Sequence, residues 1–199
     1  MPLASLLPLI LFALVSTLTP GGATTLATAS GAHFGFRRSI PVIAGFAVGL
    51  GSMACAAAAG LGGILIALPM LQIAMKTLGS LYLLWLAVRI GGSGQPQGAG
   101  QMGKPTGFVA GVWMLWHNPK GWAMTISAAA YFAALSNDAA SLAVLLGMTF
   151  GLIAAFSLAL WCVLGQILAR LLTTPWQWRL LNISLACLLM ISIVAMWFE

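Results

Sequence analysis

The sequence predicts an all-α integral membrane protein: six transmembrane helices, arranged as two inverted three-helix repeats, with the first and fourth helices broken. Three observations lead there. The chain of 199 residues is 61% hydrophobic and 5% charged, whereas a soluble domain carries about 45–50% apolar and about 25% charged residues. Long runs free of Lys, Arg, Asp and Glu are separated by short basic turns. Similar short patterns also recur about a hundred residues apart.

Ten charged side chains cannot cover the surface of a water-soluble protein of this length, which excludes a soluble enzyme. The net charge of +6 comes from scattered cations and forms no basic stripe for phosphates, so no nucleic-acid partner is expected. The lipid bilayer is the expected solvent, and the abundant Gly and Trp suit close helix packing and membrane interfaces.

A helix needs roughly 20 apolar residues to cross about 30 Å of hydrocarbon. Six crossings are read at about 2–36, 40–67, 70–90, 105–135, 140–169 and 177–198. The first lacks a cationic n-region and is too long for a cleaved signal, so it is kept as a span. As one straight helix it would run about 52 Å, too long for one crossing. Pro20 lies near its middle, followed by Gly21 and Gly22; proline removes an amide donor and clashes with the preceding turn, so the segment is read as broken. The second span carries Gly45 and Gly49, a seam for close helix approach. The third is apolar except for Lys76, which lies within snorkelling reach of an interface. After the linker 91–104, the fourth has Pro119 at its centre, between Asn118 and Lys120, and is read as broken too. The fifth carries Gly147 and Gly151, and the sixth is apolar beyond Arg179.

The whole chain, 1–199, is one transmembrane domain: repeat one over about 1–90, repeat two over about 105–199. Thr19-Pro20-Gly21 aligns with Asn118-Pro119-Lys120 at an offset of 99, and Gly45–Leu50 with Gly147–Leu152 at 102. A repeat of three crossings inserts its copies in opposite orientations, the architecture of many secondary transporters. Arg37, Arg38, Arg89, Lys104, Arg170 and Arg179 fall at one set of span ends, while Asp138 and Glu199 fall at the other. The positive-inside rule then puts both termini in the periplasm.

Unpaired backbone groups in lipid cost several kcal/mol each, so the two breaks are expected to share a cavity. The half-helix starting at Gly21 offers amide N–H groups and a positive dipole end to a carboxylate. Carbonyls freed near Val15–Ser16 would accept from an ammonium, and the pair suits a small zwitterion. Intramembrane ionisable residues mark pathways; Lys120 either attracts a carboxylate or exchanges a proton, or else clamps the freed carbonyls. His117 is read as a proton relay or a hydrogen-bonded packing residue, and Asn118 as a helix cap that can also meet substrate. His33, in the basic turn, is given no role. Trp113, Trp116, Trp176, Trp178 and Trp197 are read as packing or interface anchors. Cys55, Cys162 and Cys187 form no Cys-x-x-Cys pair, no metal spacing and no secreted disulfide framework. Neither break has a cysteine pair for redox transfer, and the three are read as small apolar packing residues. No acidic residue lies within a span, and no nucleophile-base-oxyanion constellation is evident. No catalytic residue, metal site or cofactor is therefore expected.

These residues resemble the LysE/RhtB family of amino-acid exporters. The family's Pro-Gly-Pro break, Gly-rich stretch with basic turn, Lys-x-x-Gly-x-x-Tyr-Leu segment and Asn-Pro-Lys break correspond to four motifs here. They are Thr19-Pro20-Gly21-Gly22, Ser30–Arg38, Lys76-Thr-Leu-Gly79-Ser-Leu-Tyr82-Leu83 and Asn118-Pro119-Lys120. The resemblance implies export of amino acids or related small metabolites across a bacterial inner membrane, commonly coupled to protons, and allows a homodimer. It departs in two places: Gly22 stands for the second proline, giving a looser break, and Ala23-Thr24 for the usual polar residue after it. The residues expected to bind substrate or couple transport are Thr19, Pro20, Gly21, Gly22, Thr24, Lys76, Tyr82, His117, Asn118, Pro119 and Lys120. The alternatives are a non-transporting scaffold or regulator, and an exporter of another solute.

Overall fold

The computed structural model describes residues 3–61, 67–93, 105–136 and 138–198. Among them the chain is helical and no strand occurs. The helices are α1 (Leu3–Leu18), α2 (Gly22–Phe34), α3 (Phe36–Ala56), α4 (Pro69–Gly91), α5 (Phe108–Trp116), α6 (Pro119–Tyr131), α7 (Ala139–Leu171) and α8 (Pro175–Phe198). Most of the linker 91–104, including Lys104, lies outside the described residues, as do Asn137 and Glu199.

Among the described residues, four helices are individually long and apolar enough to cross a membrane: 36–61, 73–91, 139–171 and 175–194. The first broken segment makes a fifth if α1 and α2, bent by 61° at their junction, are one span. Both expected breaks are present: α1 stops at Leu18 and α2 starts at Gly22, while α5 stops at Trp116 and α6 starts at Pro119.

Helix α3 lies at the centre and packs most extensively on α7, α2 on α7, α3 on α5, and α4 on α8. Small residues bring these backbones together. A Cβ on Gly45 would overlap the carbonyl oxygen of Phe108, and one on Gly147 would overlap the Cys55 sulfur. Gly31 and Gly165 make the same kind of approach between α2 and α7, to the carbonyl oxygens of Cys162 and Thr28. Phe46, Met53, Leu146 and Phe150 fill the core between them. The outer faces of α4, α7 and α8 expose Leu, Ile and Val throughout, the inverse of a soluble surface.

Gly35 joins α2 to α3 at φ +76°, a conformation that suits glycine. The Phe36 amide donates to Gln166 Oε1 at 2.9 Å, tying this turn to the end of α7. Asn182 at the start of α8 accepts from His33 Nε2 on α2 at 3.0 Å and donates to the Ser93 carbonyl beyond α4 at 2.8 Å. Arg37, Arg38, Arg89, Arg170 and Arg179 therefore share one end of the bundle. Asp138, whose carboxylate caps α7 by accepting from the Ser141 amide at 2.8 Å, marks the other. Its carboxyl is held below the usual range, first by that backbone bond and then by the Ser141 hydroxyl.

Candidate functional site

The two breaks meet, and Lys120 is the link. Pro119 opens α6 at a position where its missing N–H costs nothing. Asn118 precedes it as N-cap, its side chain accepting from the Lys120 amide at 3.1 Å. That sends the Lys120 side chain across to the other break. There Nζ donates to the Thr19 carbonyl at 3.1 Å and approaches the Pro20 carbonyl at 3.5 Å. A Cβ on Gly21 would lie 3.4 Å from the same nitrogen, so the glycine leaves room for the ammonium.

Around that contact, most of the break's backbone is satisfied from within. Thr24 Oγ1 accepts from the Gly21 amide at 2.7 Å and donates to the Gly21 carbonyl at 2.9 Å, closing the start of α2. The Thr19 hydroxyl donates to the Val15 carbonyl at 2.7 Å, and the Thr19 amide donates to it at 3.1 Å. Ser157 on α7 donates to the Thr17 carbonyl at 2.9 Å. Of the expected acceptors near Val15–Ser16, the Val15 carbonyl is thus taken up by Thr19, while Ser16 lines the small pocket that joins the breaks. Helix α1 runs on to Leu18, consuming the Val15 carbonyl, and the carbonyls presented to a cation are those of Thr19 and Pro20.

A cavity of about 310 Å³ opens beside the breaks, between α2, α3, α4 and α5. Gly22 and Ala23 form one wall, Gly79 and Tyr82 another, and His117 and Asn118 a third. Gly22 is more than a looser proline substitute: a Cβ there would sit 2.9 Å from Leu83, so its smallness lets α4 close on the break. His117 stacks on Trp113 at 3.9 Å between ring centroids, and its Nδ1 bonds the Trp113 carbonyl at 2.8 Å, the packing arrangement. A small second pocket of about 40 Å³ joins Thr19, Gly21, Asn118 and Lys120 across the breaks. Thr19, Pro20, Gly21, Gly22, Thr24, Tyr82, His117, Asn118, Pro119 and Lys120 are thereby brought together. Lys76 is not; it lies half-buried on α4 and lines none of these pockets.

The family model of the LysE type translocators matches residues 14–196, spanning both breaks and every helix after the first turns of α1. The chain belongs to the LysE-type translocator family. Similar relatives are the cysteine/O-acetylserine efflux proteins of Escherichia coli (strain K12), Escherichia coli O139:H28 (strain E24377A / ETEC) and Shigella flexneri serotype 5b (strain 8401). Each is 29% identical over 193 residues, covering 94% of both chains. No solved structure matches. This LysE-type translocator is a multi-pass membrane transporter and not an enzyme.

Several parts of the candidate site leave no signal in the sequence. Trp122 Nε1 donates to the Trp116 carbonyl at 2.9 Å, and Trp116 Nε1 to Ser52 Oγ at 3.0 Å; these indoles splint the second break, whereas Trp116 was expected only to pack or anchor. Met114 and Leu78 complete the cavity wall, with no signal beyond their apolarity. His33 is not an idle turn residue but the partner of Asn182. The pairing joins residues 149 positions apart, beyond the reach of any local pattern.

Proposed function

We propose that this translocator exports a small amino acid across a bacterial inner membrane, by exposing the site between the two breaks alternately to either side and coupling that exchange to protons. The observation that carries the reading is the Lys120 ammonium seated on the Thr19 and Pro20 carbonyls. Those carbonyls bind a primary ammonium, the group every free amino acid with a primary amine brings. A substrate's ammonium replaces Nζ there, and its carboxylate pairs with the released Lys120 and with the first-turn amides of α2, which have no intrahelical acceptor. Substrate and lysine thus exchange one set of contacts for another. A cavity near 310 Å³ is at the low end of small-molecule pockets, about 300–1,000 Å³, and suits an amino acid the size of cysteine or O-acetylserine, the solutes in the relatives' names.

Lys120 is also the proton carrier of this scheme. The sequence has two acidic residues, Asp138 and Glu199, and Asp138 is exposed at a helix end, away from the breaks. Of Lys120, His117, Lys76, Tyr82 and the substrate's own groups, Lys120 alone joins the two breaks. For inward proton flow to drive export, it takes up a proton from the periplasm after substrate leaves and gives it up to the cytoplasm before the next substrate is carried out.

Six crossings in two inverted repeats, both termini periplasmic, complete the proposal. Its support is the grouping of five arginines at one end and the pairing of α3 with α7 and α4 with α8, the partners a repeat would relate. Helices α5 and α6, with 9 and 13 residues, together reach about 33 Å, enough for a broken fourth span. The test is flux from purified proteoliposomes loaded with a panel of labelled amino acids. Selective, pH-gradient-dependent efflux of small neutral amino acids is expected; no efflux of any of them above empty liposomes would refute the reading.

A further inference from the structure

A third cavity, of about 440 Å³, lies along the same walls as the first but toward the arginine-rich end. Both are built between α2, α4 and α5. On α4 the shared stripe is Gly79 and Tyr82 in the inner cavity, then Tyr82, Trp85 and Arg89 in the outer one, with Ser93 just beyond the helix. This i, i+3, i+4 progression is one face of one helix. Tyr82 belongs to both cavities, so its ring stands at their boundary. From Tyr82 to Arg89 the stripe advances about 10 Å.

The outer cavity differs in chemistry from the inner. It has a permanent charge: the Arg89 guanidinium, held 5.0 Å from the centre of the Trp85 ring. His33 lines the α2 wall, but its Nε2 donates to the Asn182 oxygen and its Nδ1 is buried away from the cavity. A fixed guanidinium in the wall matches the carboxylate of an amino acid.

Resting on the export reading, we infer that this outer cavity is a loading subsite for the amino-acid substrate. Arg89 holds the carboxylate, and Tyr82 separates the occupied vestibule from the site at the breaks. The substrate leaves a guanidinium for the Lys120 ammonium, so it meets a matched cation at each station.

Single cysteines distinguish the two sites. Ala110 lines the outer cavity and Ala23 the inner, and Ala110→Cys and Ala23→Cys are placed in a Cys187→Ala background. Maleimide labelling is then followed in detergent with O-acetyl-L-serine as the probe. Both positions are expected to be protected. Adding Arg89→Gln should raise the concentration for half-protection at Ala110→Cys by at least about tenfold and leave Ala23→Cys protected as before, which also shows that the variant is folded. Arg89→Lys should fall between. Protection at Ala23→Cys alone would refute the subsite and leave the export reading standing. Protection at Ala110→Cys that survives Arg89→Gln would refute it too, as a closure driven from the inner site. Protection there by phosphatidylglycerol but not by the amino acid would make it a lipid site and equally overturn the proposal. If no amino acid protects either position, the export reading itself fails, and the subsite with it.

Discussion

The approach of α2 to α7 gives a stability prediction that can be worked from the geometry. A Cβ on Gly31 would overlap the Cys162 carbonyl oxygen, so Gly31→Ala requires the two helices to separate by about 1 Å. A gap of about 0.5–1 Å forfeits a quarter to a half of each contact along the seam. Overpacking of this kind costs about 1–3 kcal/mol, against a helix-propensity gain of about 1 kcal/mol for Gly→Ala. The net is a loss of up to about 2 kcal/mol. Gly165→Ala meets the Thr28 carbonyl across the same seam and should cost a similar amount. The double variant should cost less than the sum, because one separation relieves both overlaps. Gly107, where an added Cβ would meet nothing within 4 Å, is the control, and Gly107→Ala should be neutral. Thermal unfolding in detergent, followed by aggregation-sensitive chromatography, measures all four. A Gly31→Ala melting temperature equal to that of Gly107→Ala, or full additivity in the double variant, would refute the close seam.

Pro119→Ala should restore continuous helix across the second break and lower transport more than expression; equal losses in both, measured by flux and membrane yield, would leave the break a structural role only. Asn182→Ala should cost about 2–4 kcal/mol, read as a lower melting temperature, because it strands His33 Nε2 and the Ser93 carbonyl at a fully buried position. Asp138 has a carboxyl pKa lowered on folding, so its stabilisation of the start of α7 is complete above the unfolded value of about 3.9. That contribution is lost as pH falls through the lower folded value. The hydrogen-exchange protection factor at Ser141 should therefore hold constant from pH 8 to pH 5, and Asp138→Ala should abolish it at all pH values.

The breaks were legible because proline beside glycine or a capping asparagine favours a helix boundary locally, as at Pro20 and Pro119, whereas Pro8 and Pro41 stay inside α1 and α3. The span ends followed from charge, and the Gly45 and Gly147 seams from small-residue spacing. What spans the two breaks was less legible. Lys120 carried two readings, pathway and clamp, and only the register of α6 against α1 places its nitrogen on the Thr19 carbonyl. One expected acceptor, the Val15 carbonyl, is consumed because the Thr19 amide and hydroxyl both fold back on it. Lys76 belongs to the same sequence motif as Tyr82 but lies on another part of α4. The outer cavity escaped notice because Arg89 reads as an interface cation and His33 as a turn residue until three helices bring them to one space.

Export through the paired breaks is tested most directly by pH-gradient-driven flux in Lys120→Gln and Lys120→Arg, reconstituted beside the parent protein. Lys120→Gln removes the charge from the Thr19 and Pro20 carbonyls, and Lys120→Arg keeps a charge that does not release its proton. Both should abolish gradient-driven export, with Lys120→Arg retaining some substrate binding. Efflux in Lys120→Gln that responds to the pH gradient as the parent does would contradict the role of Lys120 as proton carrier.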